Sequence, residues 1–190
     1  MGILDWLSGR SDVTAGWVRD PALRLNVDFA QGALCGVTLG EPAERLSFLG
    51  RAEDRKAAPK GDLQYFTLGL CVGVSGTRIE SFTIWWQDYL GEGYKTYAGR
   101  VTSRSADLLG PETNEAEILS ALGEPYWTDR DGSETILFYE IQDAWGRLTE
   151  RQVELDERGR LKALLVLSEP LLADAAQRAA YGVDRAWPPW

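Results

Sequence analysis

The sequence predicts an α+β chain: two tandem copies of a strand–helix–strands unit, with helices on one face of an antiparallel sheet, plus a C-terminal helix. Three observations predict it. Glu44-Arg45-Leu46-Ser47-Phe48-Leu49-Gly50 returns as Glu117-Ile118-Leu119-Ser120-Ala121-Leu122-Gly123, a shift of 73 from Leu46 to Leu119, with Glu, Leu, Ser, Leu and Gly in place. The same shift lays residues 63–68 on 136–141, and a shift of 82 lays residues 78–84 on 160–166. The second copy therefore holds nine extra residues, about one short strand. Finally, the stretches after each Leu-Gly alternate apolar and polar with period two, as strands with one buried face do.

Each element has a local cause. Thr38 with Glu41, and Asn114 with Glu117, have the spacing of capping boxes, and Pro42 suits a first helical turn, where its missing N–H is harmless. Ala43, Leu46 and Leu49, like Ala116, Leu119 and Leu122, are expected on the packing face of their helices. Gly50 and Gly123 should end those helices. Residues 64–74 read as one strand with Phe66, Leu68, Leu70, Val72 and Val74 inward, followed by a turn at Ser75-Gly76-Thr77 and a strand over 79–86. The second copy reads as strands 135–141, 148–156 and 161–167. Opening strands are expected at 23–29 and 94–102. Residues 168–182 read as a helix capped by Ser168, with Leu171, Leu172, Ala175, Ala176 and Ala179 along one side. The predicted divisions are 1–90 for the first copy with its leading segment, 91–168 for the second, and 169–190 for the C-terminal helix and aromatic Pro-rich tail, packed as one unit. Gly91-Glu92-Gly93 marks the first boundary.

Composition narrows the chemistry. The 190 residues contain no histidine, so nucleophilic dyads and triads that need one are excluded. Two cysteines, Cys35 and Cys71, are too few for a structural zinc site. No metal or cofactor is implied, and no residue is assigned a catalytic role. A net charge of −9 opposes nucleic-acid binding and suits a basic partner. The sequence shows no secretory signal and no apolar run of membrane-spanning length, so a cytoplasmic location with free thiols is the expectation.

Leu-x-x-Leu-Gly followed by aromatic hairpin strands, given twice and best seen at Gly123-Glu124-Pro125, resembles the tandem repeat of the β-lactamase-inhibitor family. It is also similar to the single unit of the small outer-membrane assembly lipoproteins. The resemblance covers about residues 38–84 and 113–167, and it implies a fold used to grip other proteins. It departs from that pattern in having both cysteines in the first copy and no lipid-bearing N-terminal Cys.

If Phe66, Leu68, Phe82 and Ile84 face the helices, the alternate side chains form the opposite sheet face. That face should collect Tyr65, Thr67, Ser81, Thr83 and Trp85 from the first copy and Phe138, Glu140, Gln152 and Glu154 from the second. Aromatics among carboxylates suit protein binding, and Trp187-Pro188-Pro189-Trp190 suits a polyproline contact through Trp187 and Trp190. The expected function is a non-enzymatic protein-binding module, its face open to a partner, closed by the tail, or shared with a second copy in a homodimer. The alternative is a small-ligand binding protein, or a weak hydrolase using Glu140, Glu150 and Glu154, with a pocket between the repeats.

Overall fold

The computed structural model describes residues 12–88, 91–103, 107–143 and 145–183, with backbone only at 107–108. Strands dominate and fall into two sheets. A seven-stranded sheet runs β4 (Asp62–Tyr65), β5 (Leu70–Ser75), β6 (Arg78–Trp85), β12 (Leu161–Leu167), β11 (Leu148–Leu155), β10 (Thr135–Gln142) and β9 (Trp127–Arg130), antiparallel throughout. A smaller sheet runs β3 (Val37–Thr38), β2 (Ala33–Leu34), β1 (Asn26–Asp28), β7 (Arg100–Ser103) and β8 (Asp107–Leu108). Its centre is a parallel pair, Val27 opposite Val101. The expected opening strands thus leave the main sheet and pair with each other, which one antiparallel sheet did not anticipate.

Two meanders, β4–β6 and β9–β12, meet where β6 pairs with β12. Thr83 stands opposite Leu165, flanked by Phe82 opposite Val166 and Ile84 opposite Leu164. Residues matched by the 82-position shift therefore exchange places across this junction.

Facing residues share one side of a sheet. Leu63, Val72, Phe82, Val166, Arg151 and Tyr139 form one row across six strands, on the inner side. This face packs on the 3₁₀ helix Ala43–Leu49, on α1 (Glu115–Leu122) and on Val27, Phe29, Leu34 and Val101 of the small sheet region, in one continuous core. Each fully buried Leu, Val or Phe here is worth roughly 1.5–3 kcal/mol of transfer free energy.

The helices differ from expectation in ways the backbone explains. Ala43, Leu46 and Leu49 are all buried. The segment is a 3₁₀ helix, in which i and i+3 eclipse, so all three lie along one buried side. Pro42 is its N-cap and no side chain caps it. The second helix is a true α-helix with a complete box: Asn114 Oδ1 accepts from Glu117 N at 3.1 Å, and Glu117 Oε2 accepts from Asn114 N at 2.9 Å. With 3.6 residues per turn, it buries Ile118 and packs Leu122 on the core, while Ala116 is exposed. Both helices end in glycines of nearly equal dihedrals, φ 80° and ψ −173° at Gly50 and φ 84° and ψ −165° at Gly123. That region is open essentially to glycine alone.

The expected strand 64–74 is two strands joined by the 3₁₀ turn Phe66–Leu68. The break lies at Gly69, where a Cβ would come within 2.3 Å of Lys95 O and 2.7 Å of Tyr97 N. The turn resets the alternation, so Leu63 and Tyr65 face the core before it and Leu70, Val72 and Val74 after it. The expected helix over 168–182 is also shorter: α2 spans Ala175–Ala180, capped by Asp174, whose Oδ1 accepts from Gln177 N at 2.8 Å. Ser168 instead bonds through its N–H to Glu80 O at 2.8 Å, and the residue preceding Pro170 is disfavoured in a helix. Among the described residues no helix is long and apolar enough to cross a membrane.

Candidate functional site

The outer side of the large sheet carries most of the residues singled out in the sequence. Thr83 and Gln152 lie in one row with Gln64, Cys71, Leu165, Phe138 and Trp127. Trp85 and Glu154 share the next row through Ala163, and Ser81, Leu167, Glu150 and Glu140 form a third. Two residues do not belong. Tyr65 points into the core and donates its hydroxyl to Gly50 O at 3.1 Å. Thr67 lies in the 3₁₀ turn, where its N–H and hydroxyl donate to the Glu53 carboxylate. Both were misplaced because the turn at residues 66–68 shifts the alternation. Trp187 and Trp190 lie outside the described residues.

This face is covered at both ends. Over the first half, the Tyr94 ring packs at a tilt against Trp85 at 4.1 Å and against Phe66 at 4.8 Å between ring centres. Asp88 Oδ1 accepts from the N–H groups of Gly93 and Tyr94, at 2.8 and 3.0 Å, and so fixes this loop. The thiol of Cys71 lies beside the Tyr94 hydroxyl, and burial pushes it up to about 12. Burial likewise raises the Cys35 thiol, and neither cysteine is in a disulfide.

Over the second half, the segment after β12 lies across the sheet. Leu172 packs with Tyr126 and Phe138, and Trp127 stacks on Phe138 at 4.3 Å. Beneath it is a buried polar cluster. Arg178 pairs with Glu140, the two side chains 2% and 1% exposed. Its Nε donates to Leu172 O at 3.1 Å, and its guanidinium sits 4.7 Å from the Tyr126 ring centre. Glu150 accepts from the Tyr126 hydroxyl at 2.6 Å, from Leu171 N at 3.0 Å and from Gln152 Nε2 at 2.6 Å. Burial raises the Glu150 carboxyl above the ordinary glutamate range, with those three donors opposing it. Glu154 is raised too, by burial, against the pull of Lys162. The predicted face is therefore not an open aromatic surface: Phe138, Gln152 and Glu140 are buried under the tail. Sequence reasoning missed Arg178 as the anchor, because a lone Arg among alanines reads as a solvated position.

Two adjoining openings lie elsewhere, between the small-sheet region and the turn that joins β10 to β11. A cavity of about 200 Å³ is lined by Gln31, Thr38, Gln142, Asp143, Thr149 and Arg151, among others. It adjoins a shallower groove past Leu39, Pro42, Arg78 and Arg147, and Trp145 borders both. Trp145 is 64% exposed. Asp143 gathers the residues around it: Oδ1 accepts from Trp145 N at 2.9 Å and Arg147 N at 2.8 Å, and Oδ2 accepts from Arg147 Nε at 2.7 Å. Burial alone would raise the Asp143 carboxyl, but these bonds outweigh it and hold it below the usual carboxylate range. The Arg147 guanidinium sits 5.1 Å from the Trp145 ring centre. A separate cavity of about 100 Å³ is bordered by Phe29, Leu122, Tyr126, Tyr139 and Glu140.

Among the described residues no group of three or more His, Cys, Asp or Glu side chains is placed to hold a metal ion. No family model matches the chain, no curated protein matches it, and no solved structure matches it.

Proposed function

We propose that this chain is a non-enzymatic binding protein that grips a protein partner at the cleft between its halves, with Trp145 as the anchor. The observation that carries this reading is an indole exposed at the rim of a cleft on a turn that Asp143 has already ordered. Trp and Arg dominate binding hot spots because they bury large areas and form directional contacts, and a pre-ordered loop loses little entropy on docking. Arg78 and Arg147 line the groove, and Arg147 sets its guanidinium beside the indole. The resemblance carried by Leu-x-x-Leu-Gly points to the same kind of work.

The architecture behind the cleft is read as one unit copied. Support comes from the exchanged pairs across β6 and β12, from the matching dihedrals at Gly50 and Gly123, and from two isolated bridges. Pro42 bridges Arg78, and Asn114 bridges Arg160, the two arginines matched by the 82-position shift. The nine extra residues of the second copy fall between Ile141 and Arg160, across the turn after β10 and the longer strand β11.

The test is capture from the native host with wild type and with Trp145→Ala, each first checked for an unchanged urea midpoint. Loss of a specific partner with Trp145→Ala supports the reading. Retention of every captured protein by that variant overturns it.

A further inference from the structure

The cleft ends on a charge with no counter-ion in contact. Arg151 projects from β11 onto the inner, apolar side of the sheet and is 1% exposed. Its Nε donates to Phe29 O at 2.7 Å, and its Nη1 donates to Glu150 O at 2.9 Å and Thr149 Oγ1 at 3.1 Å. These neutral acceptors satisfy two of its nitrogens. Nη2 finds no acceptor, and no carboxylate lies within ion-pairing distance, among the described residues. Asp143, on the cavity wall, is already bound by Arg147. Desolvation pushes the guanidinium down to about 10, with Asp143 and Asp28 opposing, so Arg151 is charged at neutral pH. The chain makes room for it: a Cβ at Gly32 would fall 2.3 Å from Nη2.

A buried cation without an ion-pair partner is costly, because it gives up hydration with no opposite charge in contact to compensate. Here it borders a cavity of about 200 Å³, far more than the ~10–15 Å³ of accessible space one water needs. Thr38, Gln31 and Gln142 line the same space with neutral hydrogen-bonding groups. We infer that Arg151 is the anchor of a binding site for a single carboxylate group, received at Nη2 through the cleft beside Trp145. One free nitrogen matches one oxygen of a singly charged anion. With Asp143 nearby, a doubly charged phosphate would leave excess negative charge. The inference rests on the proposed binding role of the cleft and names what the partner inserts there: an Asp or Glu side chain or a terminal carboxylate.

The experiment titrates the isotope-labelled full chain with sodium acetate at constant ionic strength, against sodium chloride and inorganic phosphate, and follows backbone amides by NMR. The expected result is a saturable shift centred on Gln31, Gln142 and Thr149, weaker for phosphate, and at least tenfold weaker binding in Arg151→Gln. Should that variant not fold, Arg151→Lys serves instead: it keeps a buried cation but withdraws Nη2, and at least tenfold weaker acetate binding is again expected. No saturable acetate shift in wild type, shifts centred away from the cleft, or equal binding by a folded Arg151→Gln would overturn the inference. A phosphate response as strong as that to acetate would overturn the assignment to carboxylate. Failure of acetate binding while Trp145→Ala still loses its partner removes this site alone. Acetate binding while Trp145→Ala keeps its partner removes the proposed protein contact alone.

Discussion

The two ends of the outer sheet face are closed by opposite means. Over the first half, Tyr94 reaches Trp85 and Phe66 from a loop just beyond β6, and the contacts are rings on rings. Over the second half, the cover comes from beyond the last strand and is held by buried charge: Arg178 on Glu140, and Glu150 under Tyr126 and Leu171. Aromatic packing tolerates small shifts and does not depend on pH, whereas a buried ion pair demands exact placement and leaves a costly remainder when one partner is lost. The first cover is a local consequence of sequence, and the second exists only once the chain has folded back.

The sharpest way to break this contrast is Arg178→Met. It leaves Glu140 buried without its partner, and the loss is expected at about 3–5 kcal/mol in urea unfolding. Adding Glu140→Leu should restore most of it; a single-variant loss under about 1 kcal/mol would mean that the tail is held by packing alone. Next come the glycines that end the two helices. Gly123→Ala should cost about 1–3 kcal/mol for the strained backbone alone. Gly50→Ala should cost more, since its Cβ would also meet Arg19 at 2.8 Å, while nothing lies within 4 Å at Gly123. Equal losses would show that Arg19 moves aside freely.

Tyr94→Leu tests the aromatic cover. It keeps apolar volume and removes the ring-on-ring contacts, for an expected loss of about 0.5–1.5 kcal/mol that is the same in low and high salt. The smallest effect is at Glu150. Its folded-state carboxyl is raised, so its contribution is complete at low pH and declines as pH rises through the folded value. Glu150→Gln can keep all three hydrogen bonds if the Gln152 amide turns over. The variant should therefore match wild type at about pH 4 and gain on it by about pH 7, read as urea midpoints at both. A gap that does not change with pH would mean that burial does not govern this carboxyl.

Much of the fold was legible. The period-two stretches located β6, β10, β11 and β12, and the Leu-Gly pairs located both helix ends, because these depend on neighbours within a few residues. The 3₁₀ form of Ala43–Leu49 was not legible, since the same three-residue spacing at Ala116, Leu119 and Leu122 goes with a true α-helix. The candidate site was legible only as a set of positions. Thr83, Trp85, Phe138, Glu140, Gln152 and Glu154 do share one face, but its exposure was not legible, since covering depends on where Leu172 and Arg178 come to rest. The turn at Phe66–Leu68 was missed because its cause, the approach of Lys95 and Tyr97 to Gly69, lies a whole strand away.

By itself, then, the sequence determined the alternation of β6, β10, β11 and β12, the glycine ends of the first two helices, and the exclusion of histidine-based chemistry and structural zinc. Tertiary structure alone decided which charges are buried and with whom. Arg151 reaches Phe29 across 122 residues and Arg178 reaches Glu140 across 38. The physical reason is range. Backbone propensity and side-chain alternation act over one or two turns of chain, whereas desolvation of a charge depends on every segment that packs around it.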